Sequence, residues 1–151
     1  MTMTPQQKLK WEILSRFCEL RGLVQPVYPL PNVDEMFDQL DDEGRLTDAY
    51  EEVRGSGVET GLKCDLNNAA RNYECKAVAI QMPDGTWVGW TYWYGGGKYG
   101  APESVPWIND GYEVKCCEEE KVMVVQTFSR MLPSLLRLVQ ELENATPYKR
   151  P

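Results

Sequence analysis

Residues 73–94 read YECKAVAIQMPDGTWVGWTYWY, and this stretch decides the fold. Tyr73–Met82 and Trp87–Tyr94 are rich in β-branched and aromatic residues at a period near two. Between them, Pro83-Asp84-Gly85-Thr86 supplies turn chemistry: proline fixes φ, aspartate bonds nearby backbone, and glycine admits positive φ. The two runs therefore predict an antiparallel hairpin. A second hairpin is expected from Tyr112–Cys117 and Lys121–Phe128, joined by Glu118-Glu119-Glu120. In its second arm Val122, Val124 and Phe128 fall on one face and Met123 and Val125 on the other.

Upstream of the hairpin the period lengthens. Thr4 before Pro5 is an N-cap with proline at the first helical position, and Leu9, Ile13, Leu14, Phe17 and Leu20 recur at helical spacing until Gly22. Prolines 26, 29 and 31 then favour extended backbone. Asn32 and Glu35 have capping-box spacing ahead of the stripe Val33, Met36, Phe37 and Leu40, which Gly44 ends. Thr47 is placed to cap a further short helix through Arg54. Near the other end, Leu135, Leu136, Leu138, Val139 and Leu142 predict an amphipathic helix over 133–144, followed by a polar tail at 145–151. The expectation is an α+β fold in one domain, 1–151: a helical region over 1–60, then a sheet within 62–128. That sheet is about four-stranded and antiparallel, two hairpins packed by the N-terminal helices and a C-terminal helix.

Composition narrows the chemistry. At 151 residues and 42% hydrophobic content, the chain can bury a core without metal or disulfide staples. Cys18, Cys64, Cys75, Cys116 and Cys117 form an odd set without Cys-x-x-Cys spacing, and no leader of the secretory type is read at the start. Free thiols in the cytoplasm are the expectation. Charges or turn residues interrupt every apolar run, so no membrane span is expected. The net charge of −7 argues against direct nucleic-acid binding. That charge is concentrated: residues 32–60 hold ten acidic side chains against Arg45 and Arg54, and all the rest sums to about +1.

The sequence contains no histidine, which removes the commonest general base and zinc ligand and the usual serine or cysteine nucleophile pair. Cys116 and Cys117 are adjacent on an expected strand and point apart, while Cys64 and Cys75 stand eleven positions apart, so no metal and no cofactor are expected. Gln39–Tyr50 approaches a calcium loop with Asp41, Glu43 and Gly44. It has Gln39 at the first ligand position, however, and Tyr50 in place of the bidentate glutamate. Glu74, Glu103 and Glu113 lie near the aromatic region, but their spacing singles out no acid–base pair, and no catalytic residue is assigned.

Two surfaces remain as binding candidates. In one, Trp90, Tyr92, Gly95, Gly96, Gly97, Lys98, Tyr99 and Trp107 could stack on a ligand while the glycine amides and Lys98 meet an anion. The plain alternative is aromatic core beside a sharp connection. In the other, Asp34, Asp38, Asp41 and Asp42 share a helix face, either as a solvated back or as a docking surface for a basic partner.

The run WVGWTYWYGGGKYG at residues 87–100, with Pro102-Glu103 after it and Glu119-Glu120-Lys121-Val122 downstream, resembles a group of small proteins carried by phages and prophages of Gram-negative bacteria. The likeness covers the second half of the chain and implies a setting rather than a chemistry, bringing no activity, cofactor or site residue. It implies an accessory protein in the host cytoplasm that acts by binding host proteins or signalling nucleotides. With the missing histidine and the segregated charge, the leading expectation is a non-enzymatic interaction protein for a host protein or defence complex, and a hydrolase or nuclease using carboxylates is the third reading. The alternative is capture of an anionic, nucleotide-like small molecule on the glycine-rich loop. A homo-oligomer is compatible with either.

Overall fold

The computed structural model describes residues 2–64 and 72–145. They divide into two compact units, Met1–Cys117 and Glu118–Pro151. The first unit begins with α1 (Pro5–Leu20), whose capping box is complete: Thr4 Oγ1 accepts from Gln7 N–H, and the Gln7 side chain accepts from Thr4 N–H. Next come α2 (Val33–Asp42) and α3 (Thr47–Arg54). Asn32 occupies the N-cap of α2 as expected but makes no capping hydrogen bond, and α3 starts at Thr47 with Leu46 at its cap. Neither short helix is held by its own cap, so tertiary packing must hold both.

The sheet is an antiparallel meander in the order β1 (Val58–Glu59), β2 (Glu74–Gln81), β3 (Trp87–Tyr94), β4 (Tyr112–Val114). The hairpin read from residues 73–94 is present, with Gln81 opposite Trp87 and Glu74 opposite Tyr94, and Gly85 at φ +87° in its turn. The four strands are not the expected two hairpins, however. The chain from Lys115 to Leu132 has no regular structure, so Lys121–Phe128 is not a strand, and two residues at Val58–Glu59 supply the fourth. The turns explain the difference. Pro83–Thr86 contains a glycine able to take positive φ, whereas Glu118–Glu120 contains no such residue and stacks three like charges at the bend.

Alternation along β2 and β3 sorts side chains between two cores. Val78, Val88 and Trp90 face α1–α3 and join Leu9, Ile13, Val33, Phe37, Leu46 and Val53 in the main cluster. On the opposite face Trp93 and Val105 form a smaller cluster with Tyr73 and Cys75. Trp107, from the long connection after β3, turns back into the main core against Trp90 and Tyr50, with ring centroids 5.3 and 5.1 Å away. Its indole N–H faces the Tyr50 phenol without reaching hydrogen-bond geometry, so packing alone holds it.

The second unit contains α4 (Pro133–Ala145), at the position its leucine pattern predicts. The polar tail beyond Ala145 lies outside the described residues. No described helix is long and apolar enough to cross a membrane.

Gly89 makes the β3–β4 pairing sterically possible: a Cβ there would lie 2.7 Å from Val114 Cγ2 and 2.8 Å from Tyr112 Cε2. Gly89→Val is therefore expected to displace β4 and cost about 1–3 kcal/mol, read as a lower midpoint in thermal or denaturant unfolding. An unchanged midpoint would show that β4 does not pack as described.

Candidate functional site

A cleft of about 520 Å³ opens where the start of the chain, the Tyr28–Pro29 segment and the β2–β3 turn meet, lined by Met3, Lys8, Tyr28, Pro29, Asp84 and Thr86, among others. Lys8 is only 4% exposed, although it lies on an otherwise amphipathic helix. Its ammonium donates to Thr86 Oγ1 at 3.0 Å and to Glu113 Oε1 at 2.9 Å, which offsets the desolvation of the charge. The Thr86 hydroxyl and backbone N–H both donate to Asp84 Oδ1, at 2.6 and 2.9 Å, and the Tyr28 hydroxyl donates to Asp84 Oδ2 at 2.9 Å. One network thus ties α1, the proline-rich crossing, the hairpin turn and β4.

The charge states in this network are locked. Hydrogen bonds from the Thr86 hydroxyl and backbone, and then from Tyr28, hold the Asp84 carboxyl below its ordinary range. Burial, reinforced by the hydrogen bond to Asp84, pushes the Tyr28 phenol up to about 12. A carboxylate made less basic and a phenol made less acidic are poorly matched to proton transfer near neutrality and well matched to anchoring or recognition. Sequence reading missed the cluster because Lys8 and Thr86 are 78 positions apart. The one local signal was a lysine three residues before Trp11, within the apolar stripe of α1.

The residues expected around the glycine-rich loop separate in the structure. Trp90 and Trp107 are buried in the main core, where a ligand reaches neither. Tyr92 is half-buried, its ring covered by the Arg54 guanidinium at 4.7 Å and flanked by Lys76 and by Tyr94, which stacks on it at 6.0 Å. Gly95, Gly96 and Gly97 take φ of +76°, +87° and +74°, a run of left-handed residues that only glycine supports without strain. At Gly96 a Cβ would also strike the Tyr73 ring, and Gly100 crosses so close to the Gly95–Gly96 backbone that a Cβ there would lie 2.9 Å from it. Close chain packing thus accounts for two of these glycines. Lys98 lies over the exposed Tyr99 ring at 5.7 Å.

The acidic residues also separate into two groups. Asp34 is a fastener: its carboxylate accepts from Lys10 at 2.9 Å and from Gln7 at 3.0 Å, joining α2 to α1. Those bonds, first from Gln7 and then from Lys10, hold its carboxyl below the usual range. Glu52 similarly joins α3 to α1 through Arg16 at 2.7 Å, while Glu43, Glu51 and Glu59 pair with Arg45, Arg54 and Lys76. Glu35, Asp38, Asp41, Asp42 and Asp48 are not buried and form no ion pair among the described residues.

A second depression, of about 410 Å³, brings Cys64 and Cys75 to one wall with Lys63, Lys76 and Glu59, a proximity their sequence spacing did not suggest. Among the described residues no three His, Cys, Asp or Glu side chains are grouped to hold a metal ion. Of the carboxylates near the aromatic region, Glu113 is committed to Lys8, Glu74 lies beside Gly95, and Glu103 sits in a single 3-10 turn at Pro102–Ser104. No protein family, curated protein or solved structure matches the chain.

Tyr28 makes the cleft testable without a ligand. Its raised phenol pKa means that its contribution to stability is complete below the ordinary tyrosine value near 10 and is lost as pH rises through about 12. In a spectrophotometric titration of the eight tyrosines, one is expected to ionise near pH 12 and to vanish from the curve in Tyr28→Phe. Asp84→Asn, which removes the charged acceptor, is expected to lower that last transition. A Tyr28→Phe curve missing an ordinary tyrosine instead would contradict the network.

Proposed function

We propose that the protein is a non-enzymatic binding protein that docks a basic surface of another protein through the outer face of α2 and α3. In the phage setting implied by the sequence resemblance, the partner is a host protein or defence complex, modulated by steric occupation. The observation that carries the reading is the set Glu35, Asp38, Asp41, Asp42 and Asp48, exposed and without ion pairs among the described residues on two adjacent short helices.

Like charges a helical turn apart repel, so this arrangement costs stability in the free protein. A cationic partner relieves the repulsion on docking, and the field of the strip steers it in during approach. The helices that carry the strip are fixed to the body by Asp34–Lys10 and Arg16–Glu52, so the charges are presented without further ordering on binding. A groove evolved for nucleic-acid phosphates has the complementary charge, and carboxylates at this density can take the place of phosphates there.

A second reading rests on the left-handed run Gly95–Gly97 beside Lys98 and the exposed Tyr99: an anionic, nucleotide-like small molecule held by stacking and by the lysine. Calorimetry with a nucleoside monophosphate separates the two. Under the second reading wild type takes up the ligand and Lys98→Ala does not, whereas no heat with wild type removes it.

For the leading reading, Asp38→Asn/Asp41→Asn/Asp42→Asn is expected to weaken capture of a protein partner by about tenfold or more. The melting temperature should hold or rise slightly, because the neutralised strip no longer repels itself, and wild-type binding should weaken steeply with added salt. Asp34→Asn should behave oppositely, lowering stability by less than about 1 kcal/mol with little effect on binding. Equal binding by the triple variant and wild type would remove the acidic strip from the account. The depressed Asp34 carboxyl sets the pH dependence: its contribution is full above the ordinary aspartate range and is lost as pH falls through its lowered value.

A further inference from the structure

The segment between Cys117 and α4 carries an apolar load that is out of place on a free surface. Val122 is 99% exposed, Val124 91%, Phe128 87%, Met123 78% and Val125 75%. Four of the five are consecutive, and the run is rich in β-branched residues, yet its backbone belongs to no strand. Such a stretch presents unpaired amides and carbonyls together with large apolar side chains, which makes it a template for pairing with another chain.

Its sequence specifies the partner. In an antiparallel self-pairing centred on Val125, Val122 falls opposite Phe128, Val124 opposite Gln126 and Glu120 opposite Arg130, and the two-fold axis repeats each pair. Acid thus meets base at both ends, and no like charges meet between them, where Val125 faces its own copy and Val122 faces Phe128. The parallel arrangement would instead stack Glu118, Glu119 and Glu120 on their own copies, which is unfavourable. Folding back on Tyr112–Cys117 is disfavoured by the three-glutamate bend and would place Glu113 opposite Val125 and Lys115 opposite Met123, with no charge pairing. Along α4, Leu138 and Val139 are exposed as well.

We propose that Glu120–Arg130 is a homodimerisation strand, joining two copies of this chain antiparallel across Val125. The pairing uses none of the residues of the acidic strip on α2–α3.

Sedimentation equilibrium of the full chain at tens of micromolar is expected to give twice the 17.3 kDa chain mass. Val125→Lys, which sets two ammonium groups together at the two-fold axis, should give the single-chain mass with the helical far-ultraviolet signal retained. Glu120→Arg should raise the dimer dissociation constant about tenfold, and Glu120→Arg/Arg130→Glu should restore it, because the swap recreates both cross-strand pairs. A wild-type monomer, a dimer that persists in Val125→Lys, or a charge swap that fails to restore association would each overturn the proposal. A monomer in which 118–128 resists amide exchange would identify a fold-back hairpin in its place.

Discussion

Helix α3 and strand β3 are joined by a reciprocal pair of hydrogen bonds on which the arrangement of the first unit depends. The Arg54 guanidinium donates to the Trp93 carbonyl at 2.9 Å, and the Trp90 indole N–H donates to the Arg54 carbonyl at 3.2 Å. Arg54 is 8% exposed, and the Glu51 carboxylate, the Trp93 carbonyl and the Tyr92 ring around its guanidinium offset the cost of burying it. The α3 C-terminus is where a cation is also favoured by the helix dipole. Trp90 is thereby drawn fully into the core, and Trp107 packs on it. Eight residues of α3, too few to be stable alone, acquire a fixed position on the sheet.

Once α3 is seated, the orientation of the acidic residues follows. With the apolar stripes of α2 and α3 turned inward and Asp34 and Glu52 tied to α1, the remaining carboxylates of these helices can only face outward. The cleft around Lys8 is fixed from the other side of α1, with its phenol and carboxylate held in single protonation states. Arg54 and Lys76 lie against the Tyr92 ring and Lys76 against Tyr94, while the glycine-rich loop from Gly95 to Tyr99 is exposed.

What the sequence revealed, and what it hid, follows the range of the interactions. Local signals were legible: Thr4-Pro5 and the apolar period after it placed α1, Pro83–Thr86 placed the hairpin, and the leucine period placed α4. The second hairpin failed because pattern alone was weighed, while the turn that had to close it, Glu118–Glu120, lacked a residue for positive φ. β1 left no pattern because two residues make no period, and its pairing is set by β2. At the sites, the acidic face was legible as composition, but not that Asp34 would fasten helices while Asp38, Asp41 and Asp42 would not; that depends on Lys10 lying across from Asp34. The Lys8 network was hidden because its members come from four separate stretches of the chain.

The most direct test of the acidic strip is a titration of the isotope-labelled protein with a short oligo-arginine peptide, followed amide by amide in solution. The account predicts saturable shifts confined to residues 35–48, abolished by high salt, with Gly95–Tyr99 unmoved. Shifts centred on Glu118–Glu120 or on the glycine-rich loop, or scattered evenly over every acidic position, would contradict it.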